Sequence, residues 1–256
     1  MSAIISAETI KRADELWEAG QASLLAADYD AVLAFLENAE KEAVASGETA
    51  APSLRAALKW RLARANKDCS KDENAGISKA ERKNFIMKGL QAAKDAATIA
   101  PGEFKGHLWT GIMLGRASDL MGIRDKVNGA FGIKASFAKA MELNPEDAES
   151  IHCLGQWHFA LADMNWFGRK ASAAIGLKGT YAEALELFLR AEKVQAVYIT
   201  NLFMIAKCYA ATSKFDQADA YLDKVIAETP TNPDDKATHA EAVALKTKIA
   251  PKISKK

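Results

Sequence analysis

Small residues recur in this chain at an interval that a stack of paired helices explains and few other folds do. In ADELWEAGQASLLAADYDAVLAFLENAE, which begins at Ala13, Gly20 is the eighth residue, Tyr29 the seventeenth, Val32 the twentieth and Ala39 the twenty-seventh. In ITNLFMIAKCYAATSKFDQADAYLDKVIAETP, which begins at Ile199, Ala206 is eighth, Tyr209 eleventh, Phe215 seventeenth, Ala218 twentieth, Leu222 twenty-fourth and Pro230 thirty-second. A small residue at the eighth position of one helix and another at the twentieth, in the next helix, let two backbones approach, and large residues at the seventeenth and twenty-fourth fill the space around them. Proline then ends the second helix, because it lacks the N–H that continues the ladder. Three further copies follow once insertions are allowed: Ala63, Ala96 and Pro101; Gly111, Ala140 and Pro145; and Gly155 and Ala191, with Ala196 where the proline would stand.

This pattern resembles the tetratricopeptide repeat, a helix–turn–helix unit of about 34 residues. Such a period places the twenty-seventh residue of one unit about fifteen positions before the eighth of the next. The junctions Ala96 to Gly111, Ala140 to Gly155 and Ala191 to Ala206 keep that spacing, whereas Ala39 to Ala63 is longer and contains SGETAAPS. The extra residues therefore fall inside units, between the first and second helix. They lie around CSKDENAGIS in the second unit, MGIRDKVNGAFGIK in the third and NWFGRKASAAIGLKG in the fourth. The expected fold is all-α: a tetratricopeptide-like α-solenoid of about five helix–turn–helix units, at roughly 13–46, 56–101, 104–145, 148–196 and 199–232. Its middle repeats are enlarged, and a C-terminal capping helix over 234–250 covers the apolar face the last repeat would otherwise expose. No stretch has the composition of a linker, so 1–256 reads as a single array.

Composition agrees. Alanine is abundant, prolines number six, and no Asn-Gly dipeptide joins alternating β-branched runs. Cys69, Cys153 and Cys208 are few, odd in number and lack metal-like spacing, which fits a reducing cytoplasm. The N-terminus has no long apolar run, and uncharged stretches such as 150–162 are shorter than the about 20 residues a membrane helix needs, so no transmembrane segment is expected. The formal net charge is +1, but residues 1–50 carry ten acids against Lys11, Arg12 and Lys41, while 242–256 carry five lysines and no acid. Such asymmetry bears on charged partners rather than on the fold. No phosphate-binding glycine loop, HExxH or nucleic-acid motif occurs. Gly111 and Gly115 form a GxxxG best explained by close helix packing, and His152 and His158, six apart, point to different helix faces. No catalytic set, metal site, cofactor or nucleic-acid partner is expected.

In tetratricopeptide arrays the first helix of each unit lines the concave face through positions two, five, nine and twelve or thirteen, a spacing that keeps them on one helical face. Those positions here are Asp14, Trp17, Gln21 and Leu24; Trp60, Arg64 and Lys67; Leu108, Ile112 and Arg116; Glu149, His152, Gln156 and Phe159; and Thr200, Phe203 and Lys207. A groove bearing Arg64, Lys67, Arg116 and Lys207 beside aromatic residues would suit an acidic extended segment or a phosphate-bearing ligand. The alternative is that these long side chains only cover their own helices. The insertions offer a second basic surface: Arg124, Lys126, Lys134 and Lys139 in the third unit, and Arg169, Lys170 and Lys178 around ASAAIGL in the fourth, with the C-terminal lysines.

A closer likeness lies in AMELNPEDAESIHCLGQWHFALADMNW, the insertion that follows it, and LFLRAEKV…NLFMIAKCYA, together with WRLARA around Trp60. These resemble the regulator of microtubule dynamics family, best over roughly 85–232. The resemblance implies a non-enzymatic microtubule-associated protein of the cytoplasm and cytoskeleton, acting at microtubules and the spindle in chromosome segregation. Its partners would be tubulin, through acidic tails, and other proteins along the groove. Lipid or phosphorylated-ligand binding is also implied for some members, as is an N-terminal membrane segment that this sequence lacks. A lipid or phosphate-ligand carrier and a general protein scaffold remain the competing readings.

Overall fold

A computed structural model describes residues 4–23, 26–47, 50–71, 76–118, 120, 123–196 and 198–253, with the side chains at 22–23, 26–28 and 123–128 outside the described residues. The described chain is helical: α1 (Ala7–Ser23), α2 (Ala26–Ala45), α3 (Pro52–Cys69), α4 (Lys79–Ile99), α5 (Phe104–Ser118), α6 (Ile123–Leu143), α7 (Ala148–Ala162), α8 (Trp166–Ala174), α9 (Tyr181–Val194), α10 (Ile199–Ala211), α11 (Phe215–Ala227) and α12 (Pro233–Ile249), closed by a 3₁₀ turn at Ala250–Lys252. No strand occurs among the described residues. The sequence suggests one array; packing groups the helices into two compact units, Met1–Asn144 and Pro145–Lys256, divided in the chain at the Asn-Pro bond.

The helix starts are written locally. Ser78 accepts the Glu81 N–H while the Glu81 carboxylate accepts the Ser78 N–H at 2.7 Å, a reciprocal cap on α4. Asp147, Asn165, Thr180 and Asn232 cap α7, α8, α9 and α12 in the same manner from one side, and Pro233 occupies the first turn of α12, where its missing N–H has no partner to lose.

In the first unit, α1 pairs with α2, α3 with α4 and α5 with α6, and successive pairs meet through α2 against α3 and α4 against α5. In the second unit, α7 pairs with α9 and α10 with α11, and α12 packs on both α10 and α11 as the capping helix. The small positions do what their spacing implies. A Cβ on Gly111 would stand 2.4 Å from the Phe137 ring of α6, and one on Gly155 would stand 2.7 Å from the Phe188 ring of α9. Phe137 and Phe188 are buried, so each glycine is a notch that an aromatic knob fills. Ala63, Ala140, Ala191, Ala206 and Ala218 are likewise without solvent contact. The GxxxG reading holds for only half of its motif: a Cβ on Gly115 would meet nothing within 4 Å.

Two of the three insertions are helical where the structure describes them. The exception is the second unit of the repeat count, where 70–71 and 76–78 join α3 to α4 outside any helix and 72–75 lie outside the described residues. In the next, MGIRDKVNGAFGIK runs mostly within the 21 residues of α6. In the fourth, it forms a separate helix, α8, which packs against α7 and leaves the α7–α9 pair intact.

Candidate functional site

The concave-face positions behave differently in the two units. In the first, Asp14 of α1 accepts from Arg61 Nε at 2.9 Å and from Arg64 Nη2 at 2.8 Å, and it is bridged by Arg61 Nη2 as well. Burial pushes the Asp14 carboxyl up, but the two guanidinium groups outweigh it and hold the pKa below the usual carboxylate range. The Arg64 guanidinium lies 4.1 Å from the Trp17 ring centre, and that of Arg61 lies 4.0 Å from Trp60. Trp60 stacks on Trp109 of α5 at 6.4 Å with 11° between the planes. Trp17 Nε1 donates to the buried Asp68 carboxylate at 2.9 Å, with Lys67 and Lys71 each 3.4 Å from the other oxygen. The charges that α1 and α3 bring to this face are therefore paired with one another. Arg64 and Lys67, expected as charges offered to a partner, are instead paired with Asp14 of α1 and with the adjacent Asp68 of α3. Arg116 is exposed on α5.

The second unit corrects a further expectation. His152 is 2% exposed. Its Nδ1 donates to Asn201 Oδ1 at 2.9 Å, Asn201 Nδ2 donates to the Phe188 carbonyl at 2.8 Å, and the ring packs on Phe188 and Tyr198. Burial lowers its pKa to about 4, so the imidazole is neutral and serves as a core brace between α7 and α10. Gln156 is exposed on α7.

Lys207 and Phe203 do reach an opening. A cleft of about 500 Å³ lies between α7, α10 and α12. Phe159, Phe203 and Phe215 form its apolar floor, with Leu245 and Ile249 from the capping helix. Lys207 sits 5.2 Å from the Phe159 ring centre and 5.5 Å from that of Phe203, and Lys252 sits 5.3 Å from Phe215. Lys248 completes a rim of three ammonium groups, against the carboxylates of Asp163 and Glu241. Asp163 already accepts the Tyr181 hydroxyl at 2.8 Å, whose pKa burial and that carboxylate push up to about 12. The cleft can hold an apolar side chain on its floor and anionic groups at its rim. Spacing within α10 points to Phe203 and Lys207; the capping helix is expected from the sequence, but that it brings Lys248, and the turn after it Lys252, to this cleft is not.

The basic residues of the insertions have different surroundings where they are described. Lys139 pairs with Glu142 at 2.7 Å, Lys134 is exposed on α6, and the side chains of Arg124 and Lys126 lie outside the described residues. Arg169 donates to the carbonyls of Met164 and Ala162, capping the end of α7, while Lys170 and Lys178 are exposed. Lys246 of α12 is bound to Asp219 at 2.6 Å and Asp223 at 2.8 Å. Among the described residues no cluster of His, Cys, Asp and Glu could hold a metal ion, and no helix is long and apolar enough to cross a membrane. Cys69, Cys153 and Cys208 are buried; burial raises the Cys208 thiol to about 12, far from a reactive thiolate.

Comparison with known proteins agrees with the geometry. A thermophilic TPR protein of Thermus thermophilus superposes with a TM-score of 0.62 at 16% identity, over 93% of this chain and 98% of that one, which places the fold among tetratricopeptide-type α-solenoids. Regulator of microtubule dynamics protein 1 of Bos taurus is 32% identical over 242 residues, 93% of this chain and 70% of its own length. The Homo sapiens protein of that name is 35% identical over 197 residues, 75% of this chain and 62% of its own length. The family described as regulator of microtubule dynamics protein 1-3 matches residues 9–250. With repeat spacing, helix pairing and sequence in agreement over nearly the whole length, the chain belongs to the regulator of microtubule dynamics protein 1-3 family.

Proposed function

We propose that this chain is a microtubule-associated binding module whose second unit holds acidic, extended segments, such as tubulin tails, in the cleft around Lys207. Family and fold make it a microtubule-related helical-repeat protein of non-enzymatic, regulatory type. The observation that carries the finer reading is the rim of Lys207, Lys248 and Lys252 over an aromatic floor. A flexible acidic tail gains charge-assisted contacts at that rim, and an apolar side chain within it gains burial below. In this reading the protein works in the cytoplasm on microtubules and the spindle, and contributes to chromosome segregation.

Co-sedimentation with intact and tail-trimmed microtubules, across a salt series, tests it. Replacing the three rim lysines by glutamate should weaken binding to intact microtubules by about tenfold or more, since each partly exposed pair contributes on the order of 0.2–1 kcal/mol and reversal adds repulsion. Binding by the unmodified protein should fall with salt and with tail removal. Affinity that ignores tails, salt and the three substitutions would refute the reading. The apolar floor supports a second one, an anionic amphiphile such as a lipid or phosphate ester in the same cleft; native mass spectrometry of the purified chain would reveal a co-purified ligand of that kind.

A further inference from the structure

The inserted helix α8 exposes a face that is both aromatic and basic. Phe167 is 76% exposed and Trp166 57%, and Met164 and Ile175 at either end of the helix are also exposed. Gly168 and Ser172, one turn apart, form the opposite side; the Ser172 hydroxyl returns to the Gly168 carbonyl and is buried. At about 100° per residue, Trp166, Phe167, Lys170, Ala171 and Ala174 therefore share the outward face. Lys170 holds its ammonium 4.9 Å from the Trp166 ring centre. From 164 to 182 the only charged residues are Arg169, Lys170 and Lys178.

A protein pocket or helix groove would need a defined ridge of large side chains at helical spacing. Here two rings packed edge to face, 4.9 Å between centres, sit at one end of the face and alanines follow them, so no ridge of large side chains runs along the helix, and the charge from 164 to 182 has one sign. That combination matches the headgroup layer of an anionic membrane, where indole and phenyl rings sit at the apolar boundary and lysines reach the phosphates. We propose that α8 is a peripheral membrane contact: Trp166 and Phe167 insert at the boundary of an anionic leaflet while Lys170 and Lys178 contact its headgroups. It does not depend on the reading of the cleft, whose residues it does not use.

The test is flotation of the full chain with vesicles of phosphatidylcholine alone or mixed with phosphatidylserine. The chain should partition to the anionic vesicles, and neutral vesicles should retain far less. A basic residue at an anionic surface raises partitioning about fivefold, so Lys170→Gln with Lys178→Gln should reduce it by about twenty-five-fold. Trp166→Ala with Phe167→Ala should reduce it at least about tenfold. All four side chains are exposed, and an unchanged melting curve confirms that each variant folds. Trp166→Phe keeps the apolar area and should keep binding, while abolishing most of the fluorescence quenching that brominated anionic lipids cause in the parent chain. Equal partitioning to neutral and anionic vesicles, binding indifferent to these substitutions, or α8 substitutions that weaken tubulin binding and leave vesicle binding unchanged would overturn the proposal.

Discussion

Gly111 and Gly115 lie one turn apart on α5, and the same substitution at the two should move stability in opposite directions. In an open helical position, glycine to alanine gains about 1 kcal/mol, because alanine has less backbone freedom to lose. Gly115→Ala meets nothing within 4 Å and should gain that much. At Gly111 the new methyl would lie 2.4, 2.6 and 2.9 Å from three atoms of the Phe137 ring. Ordinary contact is about 3.5–4.0 Å, so the ring or the helix must shift by about 1 Å in a packed core. Phe137 is 5% exposed, so the ring cannot simply swing into solvent. Overpacking of this kind costs about 1–3 kcal/mol, and with three ring atoms in conflict we take about 3. Set against the helical gain, Gly111→Ala should be destabilised by about 2 kcal/mol. In chains of this size that lowers the melting temperature by about 4–8 °C, while Gly115→Ala raises it by about 2–4 °C. Thermal unfolding followed at 222 nm (a helical signal) measures both. Adding Phe137→Leu to Gly111→Ala should recover part of the loss. If Gly111→Ala proves as stable as Gly115→Ala, the notch-and-knob account of the repeat fails.

Trp17→Phe keeps the ring beside Arg64 but removes the Nε1–H donated to the buried Asp68 carboxylate; a loss of about 2 kcal/mol is expected in urea unfolding, as for other hydrogen bonds to charged groups. His152 has a folded pKa of about 4 against an ordinary value near 6.5, so the unfolded chain binds a proton that the folded chain refuses. Its contribution is fully present above about pH 6.5 and is lost as pH falls towards 4, by up to about 3 kcal/mol in all. His152→Phe should be less stable at neutral pH, because Asn201 loses its partner, yet show a flatter decline between pH 6.5 and 4; an unchanged slope would mean that other groups set it.

The sequence made the fold readable because a repeat states its packing several times. Gly111 with Phe137 and Gly155 with Phe188 are two copies of one contact, and junction spacing points to the glycine of each. The site was less readable. Helical spacing says which residues share a face, but not what stands opposite. Arg64 and His152 occupy inner-face positions, yet Asp14 and Asn201, which claim them, lie 50 and 49 residues away. The signal for Arg64 was available in retrospect: an acid at the second position of the preceding unit faces it. For the cleft, the fold of α12 against α10 turns two lysines that look like part of a basic tail into its rim. Spacing shows that the fourth unit has extra residues, but that they form the helix α8 depends on the Asn165 cap and on packing against α7.

The parallel indoles of Trp60 and Trp109 have one more consequence. At 6.4 Å and 11° their transitions couple, and the sign and size of the resulting exciton couplet in circular dichroism depend on the angle between them. Because one ring belongs to α3 and the other to α5, that couplet is an intrinsic optical gauge of the first unit. A partner that shears these helices would change the couplet without any label, and one that binds elsewhere would leave it as it is.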